Sequence, residues 1–221
     1  MKKTLIISAF PACGKTFLYK NQEQLLFKSQ DGLQIHYSFL DSDSSKFKKY
    51  DGWEKEYVNH IEENIGKVDF IFISQHDVVL QEIANRGLPF VTVGPENLPW
   101  TTNENKMLTK QQWFGRFVLR DNTHIANFMD WIKKLSENYD NWTSIQQQTK
   151  YGPIEFFSLG ANQYLSNIIE ELYYKKEIFS ALLLLLFLWY LGGISLFQHS
   201  HIIDGQIIVH SHPYTGTTDN P

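Results

Sequence analysis

Cysteine is almost missing from this chain. The single one, Cys13, rules out a disulfide framework within the chain and fits a reducing compartment. A surplus of charge is missing too. A net charge of -4 over 221 residues carries no basic footprint, so nucleic acid is not expected as a partner. No repeat recurs along the chain, which sets aside solenoids and propellers. The opening MKKTLIISAF places two lysines before an apolar run, but the run is too short for a signal peptide and reads as a first strand. Aromatic residues, by contrast, are abundant, and their usual place is the core.

Apolar runs and helical stripes then alternate. Thr4–Phe10 and Val68–Ser74 are continuous β-branched or aromatic runs, as suits strands buried on both faces. FLYKNQEQLLF has helical spacing, and LQIHYSFLDSD reads as a second strand ending in acids. Trp53, Tyr57, Val58 and Ile61 form a helical stripe closed by Gly66. HDVVLQEIANRG reads as a short helix with a Gly stop, and LPFVTVGPE as a fourth strand. Farther on, ENKMLTKQQWFGRFVLRDN and THIANFMDWIKKLSENYDNW are helical, GPIEFFSLG supplies a fifth strand, and NQYLSNIIEELYY a last helix. The spacing predicts an α/β domain over 1–172, with a mainly parallel five-stranded sheet, helices on both faces and right-handed crossovers. Ligands of such sheets bind beyond the carboxyl ends of the strands. Pro11–Thr16, Asp41–Ser45 and Ser74–Asp77 all follow strand ends, so three loops distant in sequence are expected to line one cleft.

The first of these loops carries a recognisable pattern. G-x-x-x-x-G-K-[ST] is met by Ala9-Phe10-Pro11-Ala12-Cys13-Gly14-Lys15-Thr16, except that Ala9 stands for the first Gly. The backbone of Pro11, Ala12, Cys13, Gly14, Lys15 and Thr16 would wrap phosphate oxygens. The helix opening near Lys15 would add unsatisfied N–H groups and partial positive charge. Lys15 would reach the terminal phosphates, and the Thr16 hydroxyl would ligate Mg²⁺. Ala9 is tolerable where its φ is negative; a left-handed bend there costs about 1 kcal/mol or more. The competing reading is a plain strand–turn–helix. Cys13 sits near a helix N-terminus, a place that can lower a thiol pKa, or it is simply a small loop residue.

Asp41 and Asp43 stand two apart after the second strand. Carboxylates there can hold Mg²⁺ through water or accept the proton of a substrate hydroxyl, and the competing role is helix capping. With AFPACGKT, FLDSDSSKF, VDFIFISQH and WFGRFVLRDN, and YLSNII near the domain end, residues 1–170 resemble the small P-loop kinases of the nucleoside monophosphate kinase and shikimate kinase group. More narrowly, they resemble short adenylate-kinase-like proteins of phages and prophages. The resemblance implies a P-loop NTPase three-layer αβα sandwich, ATP and Mg²⁺ as cofactors, and Asp41 and Asp43 in contact with substrate. It also implies a lid at approximately 103–122, whose Arg116 and Arg120 close on the transferred phosphoryl group. Those two arginines stand four apart on one helical face, and their competing reading is a pair of solvated helix arginines. One departure concerns the third strand, which ends in Ser74 and Gln75 rather than an acid. Asp41, Asp43 or Asp77, or water, would then take the metal role.

The C-terminal fifty residues are of another kind. Ile178–Phe197 is an uncharged, Leu-rich run of the length that spans a bilayer as a helix; a buried core helix or a docking helix would be the alternatives. Lys175 and Lys176 precede it, and no Lys or Arg follows. The positive-inside rule then puts the first domain in the cytoplasm, anchored to the inner membrane as a single-pass protein. In the tail, 198–221, Asp204-Gly205 between β-branched runs signals a hairpin. Pairing Ile203 with Gln206 would set His199 opposite His210 and bring His201 and His212 to the same face. That arrangement offers Zn²⁺, Cu²⁺ or Ni²⁺ a site, where a disordered tail is the alternative.

Three functions follow as expectations. The first is transfer of the ATP γ-phosphoryl group to a small acceptor, a nucleoside monophosphate by resemblance. The others are a nucleotide-binding regulatory module without turnover and a metal-handling membrane protein.

Overall fold

A computed structural model gives the architecture. It describes residues 3–28, 32–47, 50–120, 125–196, 198–203 and 206–211; the side chains of 120, 125–129, 131–132, 175–183 and all residues from 192 on lie outside that description. The chain forms two compact units, Met1–Glu170 and Glu171–Pro221.

In the first unit β1 (Leu5–Ala9) is followed by α1 (Lys15–Asn21), a small hairpin of β2 (Phe27–Lys28) and β3 (Gln34–Ile35), and β4 (Phe39–Asp41). A 3₁₀ turn at Ser44–Lys46 precedes α2 (Trp53–Asn64), β5 (Phe70–Ile73), α3 (Asp77–Asn85) and β6 (Phe90–Pro95). Then come α4 (Asn103–Arg120), α5 (Ile125–Trp142), α6 (Ile145–Gln148), β7 (Glu155–Leu159) and the start of α7 (Leu165–Leu196). The sheet runs β4-β5-β1-β6-β7, and every neighbouring pair is parallel. The five-stranded parallel sheet expected from the sequence is therefore present. Its chain path steps from β1 out to β4, back to β5, and then across β1 to β6. That reversal opens a crevice at the carboxyl ends of β1 and its neighbours.

Strand alternation sorts the core. In β5, Ile71 and Ile73 join Tyr57, Val58 and Ile61 of α2 and Val79, Leu80 and Ile83 of α3 in one buried cluster. Phe70 and Phe72 face the other way, where both rings stack on Phe39 at centroid distances of 5.3 and 5.6 Å. Tyr37 meets Phe70 edge-on at 5.2 Å, and Phe27 packs on Tyr37. The high aromatic content is spent largely on this face. The expected helical stripe of α2 is the observed one, with Tyr57, Val58 and Ile61 buried.

Two boundaries differ from the sequence reading. The helix expected through FLYKNQEQLLF stops at Asn21, because Phe27 leaves it for β2 and the ring of Tyr37. The second strand is broken between Ile35 and Phe39. Side chains replace ladder partners there: Ser38 N donates to Asp69 Oδ2 and Phe39 N to Gln22 Oε1, both at 2.8 Å.

In the second unit α7 runs on to Leu196 rather than ending near Leu172, and β8 (Gln198–Ile203) pairs antiparallel with β9 (Gln206–Ser211). The register is the expected one, Ile203 with Gln206 and His199 with His210, while His201 is opposite Ile208. His212 and the His side chains lie outside the described residues. Among the described residues no helix is long and apolar enough to cross a membrane. The expected span, 178–197, is mostly made of positions whose side chains are outside that set; those that are described, Leu184–Leu191, are all exposed, Trp189 by 80%.

Candidate functional site

The bend after β1 is built on two left-handed residues. Ala12 has φ 63° and Gly14 φ 103°. Backbone of this kind turns successive amides toward a concave side and forms anion-binding nests. Glycine takes it freely, whereas Ala12 carries about 1 kcal/mol of strain or more. Ala9, the residue that departs from the motif, ends β1 and is not among the positive-φ residues, so the departure costs nothing there. Phe10 N donates to Val93 O at 2.8 Å and ties the loop to β6. Cys13 is fully buried, and desolvation raises its pKa above the ordinary 9.0, with Lys15 opposing. The expectation of an activated thiol is thereby corrected: Cys13 is a small loop residue, held as a neutral thiol.

Lys15 opens α1 and folds back across the loop, its ammonium donating to Ala9 O at 2.5 Å and Phe10 O at 3.4 Å. One turn of chain further, the Thr16 hydroxyl donates to Asp41 Oδ2 at 2.7 Å. The carboxyl end of β4 is thus joined to the start of α1, although 25 residues separate them in sequence. Asp43 has a different task. It caps the 3₁₀ turn, accepting from Ser45 N at 2.9 Å and Ser45 Oγ at 2.7 Å, and it also lines the cleft. The two acids divide the metal-side and capping roles between them. Asp77 pairs with Lys150 at 3.0 Å and accepts from Gln147 Nε2 at 3.2 Å. Among the described residues no group of three or more His, Cys, Asp or Glu side chains could hold a metal by itself. Thr16 with Asp41 is a hard-oxygen pair of the kind that suits Mg²⁺, which keeps waters and substrate oxygens for its other positions.

Arg116 comes from α4, the helix that occupies most of the expected lid. Trp113 and Phe117 of that helix are fully buried, and the Trp113 indole donates to Pro11 O at 2.8 Å. The Arg116 guanidinium lies between two rings, 4.3 Å from the centroid of Trp113 and 3.9 Å from that of Tyr164. Its Nη1 and Nη2 are buried and have no hydrogen-bond partner among the described residues. Tyr164 also covers Gly14: a Cβ on Gly14 would meet its ring at 3.6 Å. One side chain thereby links the loop's left-handed glycine to the arginine. The Arg120 side chain lies outside the described residues.

The three expected loops do converge. They line a cleft of about 1260 Å³ that includes Lys15, Thr16, Asp43, Gln75, Asp77 and Arg116. Tyr57 braces its rim by donating to Ser42 O at 2.7 Å and accepting from Ser74 N at 3.2 Å, which fixes the ends of β4 and β5 against each other. Sequence reasoning missed the aromatic clamp on Arg116. Trp113 is three residues away on the same helix, a spacing that could have pointed to it. Tyr164 lies 48 positions downstream and left no local trace.

Comparison with known proteins bears on the other end of the chain. Residues 174–221 match a family described as a domain of unknown function (DUF8478), a match that falls wholly within the second unit. No curated protein matches the chain.

Proposed function

We propose that the first unit binds ATP with Mg²⁺ and transfers the γ-phosphoryl group to a small acceptor, with a nucleoside monophosphate as the acceptor that the kinase resemblance implies. The observation that carries this reading is the unpartnered Arg116 guanidinium, buried in the same cleft as Lys15 and the left-handed Gly14. A buried guanidinium without partners is costly, and an anion seated between it and the loop removes that cost. In this reading Lys15 leaves Ala9 O for the β- and γ-phosphates, and the amides of 12–16 surround them. Thr16 and Asp41 hold Mg²⁺, Asp43 receives the acceptor hydroxyl, and Arg116 with Arg120 neutralises charge as the phosphoryl group moves. ADP production by the full-length chain, measured over a panel of nucleoside monophosphates and hydroxylated small molecules, tests it. Acceptor-dependent ADP that disappears in Lys15→Met supports transfer.

Ser74 at the tip of β5, where an acid would stand, favours a second reading: nucleotide binding without turnover. ATP affinity with no acceptor-dependent ADP, unchanged in Asp41→Ala and Arg116→Ala, would select it.

For the second unit we infer a single-pass anchor over 178–197, with the first unit cytoplasmic. Continuous helix through α7 and the exposed apolar Leu184–Leu191 support this. Alkaline carbonate should leave the chain in the membrane pellet; release to the supernatant would remove the anchor. The register of His199 with His210 supports a Zn²⁺, Cu²⁺ or Ni²⁺ site shared with His201 and His212. Equilibrium dialysis with Zn²⁺ checks it, and no uptake below millimolar metal ends it.

A further inference from the structure

The cleft has an inner end that the phosphate contacts do not use. Its floor is Thr92 of β6, 1% exposed, whose Oγ1 has no hydrogen-bond partner among the described residues. Ser8, its neighbour across β1, has an equally buried and unpartnered Oγ. Over this floor lie two amides. Gln75 Nε2 donates to Gln148 Oε1 at 3.0 Å and to Ser8 O at 3.4 Å, while Gln148 Nε2 donates to Trp142 O at 2.5 Å. Gly94 makes room for them, since a Cβ there would come within 3.2 Å of Gln148 Oε1. Leu80, Leu135 and Trp142 supply apolar walls.

This end is therefore polar, neutral and rigid. The Gln75 amide could in principle present either edge, but its Nε2 is engaged twice, so Oε1 is the edge left for a ligand. Beside it the Thr92 hydroxyl can donate or accept. An acceptor oxygen and a hydroxyl between apolar walls, with no charged side chain among them, match the edge of a flat heterocycle. The volume agrees. At about 1260 Å³ the cleft exceeds the roughly 300–1,000 Å³ of pockets that hold one small ligand, which leaves room for a second molecule beside a nucleotide.

We propose that Thr92, Gln75, Gln148 and Trp142 form the acceptor subsite, and that it takes a nucleobase: an uncharged ring whose N–H or amino group donates to Gln75 Oε1 while the neighbouring ring atom meets the Thr92 hydroxyl. The acceptor role rests on the phosphotransfer reading above; the ring site does not.

Calorimetric titration of the full-length chain in detergent micelles, with and without a non-hydrolysable ATP analogue, separates the two. The probes are the common nucleosides, their monophosphates, and ribose 5-phosphate as the ring-free control. At least one nucleoside or monophosphate is expected to bind, and ribose 5-phosphate at least tenfold more weakly. Nucleosides binding as well as monophosphates would mean that the ring alone is recognised; monophosphates binding better would add a phosphate contact to it. Thr92→Val and Gln75→Leu should each weaken ring binding tenfold or more and leave the ATP analogue within twofold, because a site built to hydrogen-bond a ring loses its selectivity with either group. If Gln75→Leu does not fold, Gln75→Glu, of the same size, is read in its place. Ring-bearing probes that bind no better than ribose 5-phosphate, or variants that bind unchanged, overturn the subsite. Failure of the ATP analogue to bind, with ring binding intact, overturns the phosphotransfer reading instead.

Discussion

Lys15 and Arg116 face one cleft from opposite sides and are served differently by the protein. Lys15 is satisfied at home: its ammonium rests on Ala9 O and Phe10 O, and the neighbouring Thr16 rests on Asp41. Arg116 is held only by its flat faces, between Trp113 and Tyr164, and its outer nitrogens meet no partner among the described residues. The loop side is therefore stable as it stands, and the α4 side is poised. Ring stacking fixes where the guanidinium lies without consuming its donors, so the direction of hydrogen bonding is reserved for something that enters. A cation that must rearrange and a cation that need only be met are different instruments, and the fold supplies both within one cleft.

That contrast can be broken by experiment. The largest effect belongs to Arg116→Met. Turnover in the ADP assay should fall about 10³-fold or more, the scale of a charge-neutralising arginine in phosphoryl transfer. The free variant should melt no lower than the parent, because it sheds a buried, unpartnered charge. A large drop in Tm without ligand would mean that the arginine is structural. Lys15→Met should behave in the opposite sense: affinity for the ATP analogue falls on the order of 10²-fold, and the free variant also loses about 1 kcal/mol with the two carbonyl contacts. Asp41→Asn keeps a hydrogen-bond acceptor for Thr16 but removes the charge. The Mg²⁺ concentration for half-maximal turnover should rise tenfold or more with little change in Tm. Ala12→Gly relieves the left-handed strain while loosening the unfolded chain, so urea unfolding should shift by less than about 1 kcal/mol, and a loss of several would show that the Ala12 methyl packs.

The smallest effect is in the alkaline range. Burial raises the pKa of Cys13 above 9.0 and those of Tyr57 and Tyr139 above 10.0, so the folded chain keeps protons that the unfolded chain releases. The stability carried by these groups is complete below about pH 9 and falls as pH rises beyond it, which Tm measured from pH 7 to 11 will register. A flat profile would place the three groups in water.

The sheet was legible because its strands are written as unbroken apolar runs, and the α2 stripe because Tyr57, Val58 and Ile61 repeat at helical spacing. The convergence of three loops followed from strand ends alone. Less legible was anything decided by a distant partner. The break before Phe39 depends on Asp69 and Gln22 supplying side-chain bonds, which no local pattern announces. The division of labour between Asp41 and Asp43 depends on where Thr16 sits. The amide pair over Thr92 joins Gln75 to Gln148, 73 residues on, and neither residue type is conspicuous alone.

Leu165, the first residue of α7, donates its amide to Cys13 O at 2.9 Å, within the loop itself. The longest helix of the protein is thus rooted at the bend that Gly14 makes possible. Torque applied to that helix's opening turn would be delivered at Cys13 before it reached any strand, which makes the loop the mechanical foot of everything that follows it in the chain.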